Sequence, residues 1–351
     1  MFARAFEVVR QAIAERAFPA ASVAITQHGR LVALKPFGTF TYDDAPEVKT
    51  ETLFDLASVS KVVATTGMAM MLYQRGLLDL EAPVTMIVPE FARNDKRCRD
   101  VTFRMLLAHS SGLPAYEKLF LRGPSRNELL AAAYGTALEA EPGTRALYSD
   151  IGFIILGLAL ERIADEPLDT FCHREIFGPL GMASTLFNPP ASLKESIPPT
   201  VDDWSFRNRI VQGEVQDENA SVLGGVAGHA GLFSTAGDLA IFAHCMLNGG
   251  EPILRPETVA LFTRREDTPA GTSRALGWDT PSTPSQSGKY FSPGSFGHLG
   301  YTGTSLWIDP RRQLSVTLLT NRTWPNCENQ AIKEVRPRFQ DAVVEALEKQ
   351  V

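Results

Sequence analysis

The pattern of apolar positions predicts an amphipathic helix at each end of the chain, because one apolar stripe recurs there at helical spacing. The positions are Phe2, Phe6, Val9 and Ile13 at the start and Ile332, Val335, Phe339, Val343 and Leu347 at the end. Strand-like runs cover 22–26 and 31–35, and Gly29 between them supplies the positive φ of a tight hairpin. Two further strand-like runs, 297–308 and 314–320, precede the last helix.

Between these ends the chain has the spacing of helices, separated by Pro and Gly clusters. Helical segments are predicted from about residue 58 and at 102–107, 125–134, 151–163 and 236–247. Strands at both ends with helices between them predict an α/β (α+β) fold. In this fold both chain ends build one antiparallel sheet, terminal helices flank it, and an all-helical region is inserted. We expect a discontinuous sheet domain of residues 1–55 and 261–351, a helical domain of residues 56–260, and a site in the cleft between them.

The composition is that of an ordinary globular protein and narrows the range of partners. The 351 residues are 44% hydrophobic and 21% charged, and the net charge of −6 is not concentrated in any segment. We therefore expect no nucleic-acid partner, and the site expected in the cleft favours a small-molecule substrate. The longest nearly apolar run, 151–160, is about half of the ~20 residues that cross a bilayer, so we expect no membrane span. The oligomeric state stays open.

The first residues and the cysteines bear on the cellular compartment. Charged residues interrupt the apolar positions of 1–18, so this segment lacks the continuous apolar core of a secretory signal. We expect a cytoplasmic protein; a periplasmic protein whose export signal has been removed is the alternative. The cysteines form no CxxC pair and lie far apart, which favours reduced structural thiols over a disulfide scaffold. They are Cys98, Cys172, Cys245 and Cys327.

Ser58-Val59-Ser60-Lys61 is the one Ser-x-x-Lys in the sequence, and it opens a predicted helix. Residues three apart share a helical face, so the Lys61 amine can reach the Ser58 hydroxyl. A helix N-terminus also offers N–H groups and positive potential to a developing oxyanion. A serine nucleophile uses both features. The alternative is a serine N-cap followed by a solvated lysine.

A second candidate lies just ahead of the helix predicted from residue 151. In Tyr148-Ser149-Asp150, the Tyr148 phenol can ionise beside an amine and then serve as the general base for a serine. The alternative is a tyrosine packed at a loop corner, with Asp150 as the helix N-cap.

A third candidate, Gly297-His298-Leu299-Gly300-Tyr301, opens a predicted strand near the end of the chain. Glycines there let a substrate backbone approach the strand edge, and a backbone N–H can donate to an oxyanion. The alternative is a Gly-rich edge strand in which His298 is a hydrogen-bonded structural group. The sequence has no Gly-x-Ser-x-Gly motif, no His-Glu-x-x-His motif and no phosphate-binding loop. It therefore does not support assignment to the α/β-hydrolases, the zinc proteases or the P-loop proteins.

In this order, the motifs at 58–61, 148–150 and 298–300 resemble those of class C β-lactamases, D,D-peptidases and related esterases. These proteins belong to the serine β-lactamase and penicillin-binding-protein superfamily. The resemblance covers about residues 20–322 and implies a β-lactamase/transpeptidase-like fold with no metal or organic cofactor. Further strings match the superfamily or its β-lactamase-like bacterial subgroup; they are 106–114, 217–220, 224–235 and 306–310.

The resemblance also implies residue roles. Ser58 is the expected nucleophile, and Lys61 and Tyr148 are the expected base and proton shuttle, with the first proton acceptor left open. The backbone N–H groups of Ser58 and Tyr301 are the expected oxyanion hole. His229 lies in a Gly-rich loop, where a cleft-lining role and a structural role are both open. The expected substrate-binding residues are Asp150, His229, His298, Gly300 and Tyr301.

Three positions depart from the family pattern. His298 stands where lysine is frequent, Leu299 stands where a hydroxyl helps to hold a substrate carboxylate, and Asp150 replaces asparagine. These departures weaken the case for a carboxylate-bearing β-lactam or a D-Ala-D-Ala terminus. We expect the His298 imidazole to change charge within the working pH range and Asp150 to favour the charged form of Lys61.

We therefore predict a β-lactamase-like or penicillin-binding-protein-like serine hydrolase that forms an acyl-enzyme on Ser58 and cleaves an amide, β-lactam or ester bond. One alternative is a small-acyl carboxylesterase on the same fold. Another is a penicillin-binding sensor or D,D-peptidase with slow deacylation. His109 is interpreted as a histidine that braces a loop.

Overall fold

The structure is a computed structural model that describes residues 1–43 and 45–348. The strands are β1 Ala20–Gln27, β2 Arg30–Gly38, β3 Phe54–Asp55, β4 Leu186–Phe187, β5 Val201–Asp203, β6 Arg209–Val211, β7 Leu232–Ser234, β8 Phe296–Leu299, β9 Ser305–Asp309 and β10 Leu314–Thr320. The α-helices are α1 Ala3–Ala14, α2 Gly67–Gln74, α3 Phe103–Leu107, α4 Arg126–Tyr134, α5 Asp150–Ala164, α6 Leu168–Cys172, α7 Gly178–Leu180, α8 Glu218–Val222, α9 Ala236–Leu247, α10 Pro256–Thr263 and α11 Ile332–Glu348.

Both ends of the chain build the main sheet, whose strand order is β2–β1–β10–β9–β8. Neighbouring strands are antiparallel, and Val23 on β1 lies opposite Leu318 on β10. Helices α1 and α11 pack together, and their apolar stripes form one core with one face of the sheet. Helix α9 contacts β1, β9 and β10, and a second core extends from there into the helical part of the chain. The predicted sheet and terminal helices are confirmed.

The inserted region is mainly helical, and the expectation that it is all-helical is wrong. Strand β7 pairs with β3 on one side and β4 on the other, and β5 pairs with β6. These strands are two or three residues long. Such short strands show no period-2 alternation, so the sequence pattern did not reveal them. The domain limits at residues 56 and 260 stay a prediction.

The strand predicted over 297–308 is two strands joined by a turn. Strand β8 ends at Leu299 and β9 begins at Ser305. Between them the Gly300 N–H donates to the Thr304 carbonyl at 2.7 Å, and Gly303 has a φ of +96°. Continuous strand pairing is impossible at such a backbone angle, which glycine adopts without steric cost. The turn carries Tyr301 to the cleft.

None of the helices in the described residues combines the length and apolar character that crossing a bilayer requires.

Candidate active site

Ser58 lies on a tight turn between β3 and the helical segment that leads into α2. Residues Ala57–Val59 form a 3₁₀ turn, Lys61–Thr66 a π-helix, and α2 follows directly. The Thr304 hydroxyl donates to the Leu56 carbonyl at 2.8 Å, which ties this turn to the start of β9. The predicted helix from about residue 58 is thus present. It begins with the narrow 3₁₀ turn and the wide π-helical segment and becomes a regular α-helix at α2.

Lys61 is fully buried, and its ammonium group has three acceptors. Its Nζ donates to Ser58 Oγ at 3.0 Å, to Asp150 Oδ1 at 2.6 Å and to the His229 carbonyl at 2.8 Å. All three N–H donors of an ammonium group are therefore satisfied. Burial acts to lower the pKa of Lys61, but Asp150 and Tyr148 outweigh it and raise the pKa above its ordinary value. Lys61 is charged at neutral pH, as the sequence predicted.

Asp150 is the first residue of α5, and its side chain is 18% exposed. The helix N-cap is Ser149, whose Oγ accepts from the Gly152 N–H at 3.1 Å. The alternative interpretation of Asp150 as the N-cap is therefore wrong. With the capping role taken by Ser149, the Asp150 carboxylate is directed to Lys61 and the cleft.

The Tyr148 ring lies beside Lys61, with Nζ 5.0 Å from the ring centroid. Its hydroxyl is buried and makes no hydrogen bond of good geometry among the described residues, but Lys61 and Ser58 lie close enough to act on its pKa. Burial raises the pKa of Tyr148, whereas the positive charge of Lys61 acts to lower it. A buried phenol without such a hydrogen bond, next to an ammonium, is a candidate for proton transfer.

His109 positions the Tyr148 loop. Its Nδ1 accepts from the Ser149 N–H at 3.1 Å, and its ring lies 4.6 Å from Tyr148 and 5.0 Å from Phe153, centroid to centroid. Burial and the charges of Arg274 and Lys61 lower the pKa of His109 well below its usual value. The neutral imidazole braces the loop, as the sequence predicted.

His298 faces Tyr148 from the end of β8, with 5.8 Å between the ring centroids. Its Nδ1 donates to the Leu299 carbonyl at 2.8 Å, which leaves Nε2 as an acceptor. Burial and the charges of Lys61 and Arg274 lower the pKa of His298 well below 6.5. The expectation that this imidazole changes charge within the working range is wrong, because burial and two nearby cations oppose its protonation.

Gly300 brings the β8–β9 turn against the nucleophile turn. A Cβ on Gly300 would collide with the Leu56 carbonyl and the Thr304 hydroxyl. Gly300 is therefore required because other parts of the protein approach it closely. Room for a substrate backbone, the expected reason, is not the whole explanation. Tyr301, the next residue, is 50% exposed and lines the cleft.

The buried His229 pairs with the partly exposed Asp217 beside Lys61. His229 Nε2 and Asp217 Oδ1 are 2.8 Å apart, and Asp217 Oδ1 also accepts from the Ala220 N–H at 2.7 Å. Burial acts to raise the pKa of Asp217, but His229 and the Ala220 N–H lower it below its usual value. The His229 side chain is anchored by Asp217, and its carbonyl holds Lys61.

One cleft of about 710 Å³ brings the predicted residues together. Lys61 lies beneath it, and the other predicted catalytic and substrate-binding residues line it; they are Ser58, Tyr148, Asp150, His229, His298, Gly300 and Tyr301. Tyr116 and Arg274 also line the cleft, although no pattern in the sequence pointed to them. The Arg274 guanidinium lies 5.3 Å from the Tyr148 ring centroid and 3.7 Å from Asp279 Oδ1. No local motif surrounds Arg274, so only the fold reveals it.

Comparison with known proteins connects this cleft to a family. A family model described as beta-lactamase matches residues 5–336. The chain belongs to the β-lactamase family. This membership confirms the resemblance, the α+β fold class and the serine-hydrolase class inferred from the three motifs.

Among the relatives of this β-lactamase-family chain is an Escherichia coli K12 protein named "Putative D-alanyl-D-alanine carboxypeptidase". It is 32% identical over 342 residues, which cover 87% of this chain and 79% of the relative. A Bacillus subtilis 168 protein named N-acetylmuramyl-L-alanine amidase is 31% identical over 351 residues, covering 87% and 77%. The solved structure of EstCE1, described as a hydrolase with promiscuous acyltransferase activity, is 23% identical with a TM-score of 0.79 over 97% of each chain. This last similarity concerns the fold.

Proposed function

We propose that the chain hydrolyses an amide or ester through an acyl-enzyme on Ser58, and that its preferred substrates carry no acylamido group on the carbon next to the scissile carbonyl. One observation carries this proposal: Lys61 Nζ lies 3.0 Å from Ser58 Oγ and 2.6 Å from Asp150 Oδ1. The first distance supports nucleophilic catalysis, and the second supports the substrate preference.

The reaction begins with attack of Ser58 Oγ on the carbonyl carbon. The Ser58 proton passes to the phenolate form of Tyr148 while Lys61 stays an ammonium, and backbone N–H groups of Ser58 and Tyr301 bind the oxyanion. Collapse breaks the C–N or C–O bond, and Tyr148 returns the proton to the leaving atom. Water then attacks the acyl carbon by the same route, which releases the acid and restores Ser58.

The charge state of the cluster supports Tyr148 as the first base. The Asp150 carboxylate and Tyr148 keep Lys61 protonated, so its lone pair is not free to accept a proton. Burial keeps most Tyr148 protonated as well, and the Lys61 charge stabilises the phenolate that does form. The active base is thus a minor form, and activity rises with pH as that form becomes more populated.

Asp150 supports the substrate preference. An asparagine amide at this position can donate a hydrogen bond to the acylamido carbonyl of a β-lactam or an acyl-D-Ala-D-Ala peptide. The ionised Asp150 carboxylate only accepts, and it already accepts from Lys61. Acylamido substrates would therefore place a carbonyl oxygen against a carboxylate.

The amide of N-acetylmuramyl-L-alanine fits this preference, because the carbon next to its scissile carbonyl carries an ether oxygen in place of an acylamido nitrogen. The Bacillus subtilis relative is named for this amide. The cleft volume of about 710 Å³ is within the range of small-molecule sites. Tyr116 and Tyr301, both partly exposed in the cleft, supply faces for a sugar. Arg274 supplies a cation for the carboxylate of the leaving amino acid.

Four substrates test the proposal: N-acetylmuramyl-L-alanine, an acyl-D-Ala-D-Ala peptide, a chromogenic cephalosporin and a short-chain nitrophenyl ester. We expect the muramyl amide to be cleaved with a higher kcat/KM than the peptide or the cephalosporin. Turnover of the ester alone would instead support the carboxylesterase. Stable labelling by a fluorescent penicillin without turnover would support the sensor.

Arg274→Gln tests the proposed contact with the carboxylate of the leaving amino acid, and the neutral ester serves as the control substrate. We expect KM for the muramyl amide to rise about tenfold, because a charge-assisted hydrogen bond is lost, while KM for the neutral ester stays the same. Equal effects on both substrates would contradict a contact with the leaving carboxylate.

A further inference from the structure

Asp55 is a buried carboxylate that the proposed reaction does not use. It is the last residue of β3, three positions before Ser58, and is 2% exposed. Its Oδ1 accepts from the Ala57 N–H at 2.8 Å, and its Oδ2 accepts from the Gln216 N–H at 2.6 Å. The Asp55 side chain thus accepts hydrogen bonds from two backbone segments that lie far apart in the sequence.

The first bond fixes an unfavourable backbone conformation. Ala57 has a φ of +47°, in the left-handed region that residues with a Cβ rarely adopt. Its N–H begins the 3₁₀ turn that carries Ser58, where a backbone donor has no partner within the turn. The Asp55 carboxylate supplies that partner and holds the Ala57 angle that orients Ser58.

The second bond reaches the segment that holds Lys61. Gln216 directly precedes Asp217, the residue that anchors the His229 ring at 2.8 Å. The His229 carbonyl in turn accepts from Lys61 Nζ at 2.8 Å. Asp55 therefore connects the backbone of Ser58 to the residues that place the Lys61 amine.

We propose that Asp55 is a positioning residue that holds the Ser58 turn and the Gln216–Asp217 segment in fixed register, so that Ser58 Oγ stays within reach of Lys61. This inference rests on the proposed nucleophilic role of Ser58. Asp55 does not line the cleft among the described residues, so its effect on the reaction is indirect.

Protonation of Asp55 gives this role a pH dependence. Burial raises the pKa of Asp55 to about 6; Asp217 adds to this effect, and the Gln216 and Ala57 N–H groups and Arg207 oppose it. The ionised carboxylate accepts both N–H bonds, whereas the protonated form sets a hydroxyl proton against one of the donors. We expect the acylation rate to fall as the pH drops through about 6.

Stability changes in the opposite direction over the same pH range. The pKa of Asp55 is higher in the folded state than its ordinary value of 3.8, so the folded protein binds more protons between pH 3.8 and about 6. The contribution of Asp55 to stability is fully present below pH 3.8 and is lost as the pH rises through about 6. Loss of activity through Asp55 in acid is therefore not loss of fold.

The test compares Asp55→Asn with Asp309→Asn. Asp309 is also fully buried and accepts from the Ser292 N–H at 2.9 Å, but it does not line the described cleft. Asn at position 55 sets an amide N–H₂ against one backbone donor, as protonation does. We expect the acylation rate with nitrophenyl acetate to fall about 100-fold, because a small misplacement of a reacting group costs about that much. The acid limb near pH 6 should disappear in Asp55→Asn and persist in Asp309→Asn.

Adding Ala57→Gly to Asp55→Asn should restore about tenfold of the rate, because glycine adopts the Ala57 angle without the carboxylate. Hydrogen exchange should be faster at 54–60 and 214–219 in Asp55→Asn and unchanged there in Asp309→Asn. A parent rate and acid limb in folded Asp55→Asn would overturn the inference. If Asp55→Asn does not fold, an acid limb near pH 6 in the folded parent still supports the inference, and its absence overturns it. Mass spectrometry that finds no adduct on Ser58 of the parent would overturn the proposed function instead.

Discussion

The two walls of the cleft differ in charge. The helical wall, with Ser58, Lys61, Tyr148 and Asp150, contains an ion pair whose ammonium is buried and a phenol beside it, and the pKa values of Lys61 and Tyr148 are raised. The opposite wall is formed by the end of β8 and the turn after it, and His298 on β8 is neutral at working pH. Substitutions in the helical wall should therefore change rate and pH dependence, whereas those in the strand wall should affect shape and leave the pH profile unchanged.

The largest expected effect is that of Ser58→Ala. Removal of the nucleophile should lower turnover of nitrophenyl acetate at least about 10⁴-fold and abolish the acyl adduct at position 58, because only binding and the oxyanion hole remain. Initial-rate assays measure the turnover, and mass spectrometry of the intact protein measures the adduct. Activity near the parent level in Ser58→Ala would assign the chemistry to another residue.

Lys61→Ala and Tyr148→Phe come next. Each should lower kcat about 10²- to 10⁴-fold, the usual contribution of a positioned acid or base. The double variant should be little worse than either single variant, because the two side chains act in one proton-transfer unit. Additive losses would show that one of the two is structural, and thermal melting checks that each variant folds.

Asp150→Asn changes the charge of the helical wall and introduces a donor for an acylamido carbonyl. We expect the ratio of β-lactam to ester turnover to rise about tenfold, the worth of one hydrogen bond to the substrate. The alkaline limb of the pH profile should move to lower pH, since Asp150 raises the pKa of both Lys61 and Tyr148.

The free energy of unfolding of Asp150→Asn must be measured as a control, because the substitution also removes an ion pair. Loss of the carboxylate leaves the Lys61 ammonium buried without its counter-ion, which costs about 3 kcal/mol. Ser149 keeps the helix cap, so the loss should come from the ion pair alone. An unchanged substrate ratio in the folded variant would remove Asp150 as the determinant of preference.

The smallest expected effect is that of His298→Gln in the strand wall. The parent imidazole is neutral at working pH, so replacing it should leave the pH profile unchanged and alter kcat/KM by about threefold or less. A shifted acidic limb in His298→Gln would show that the imidazole titrates during catalysis. Such a shift would contradict the expectation that only substitutions in the helical wall change the pH profile.

Much of the fold could be predicted because its signals are local. Strands β1, β2 and β10 and helices α9 and α11 lie where periodicity placed them, since five or more residues repeat one pattern in each. Strands β3 to β7 are too short for such a signal, and the β8–β9 turn interrupts an apolar run that reads as one strand. These elements depend on pairing with distant residues.

The same distinction separates the site residues. Ser58 and Lys61 carry a signal in the sequence because a helix places residues three apart on one face, and Tyr148 and His298 belong to short motifs in a recognisable order. Asp55 and Arg274 belong to no motif. Asp55 contacts the Ala57 and Gln216 N–H groups and Arg274 contacts the Tyr148 ring, and these contacts exist only after the chain has folded.

The sequence by itself determined the sheet built from both chain ends and the nucleophile motif, because each follows from residues close together in the sequence. The charged state of Lys61 was expected only through the family resemblance, which places Asp150 of a second motif beside it. Only the tertiary structure decided that His298 stays neutral and that Ser149 rather than Asp150 caps α5. A pKa and a choice of hydrogen-bond partner depend on burial and on every nearby charge, which a linear pattern does not contain.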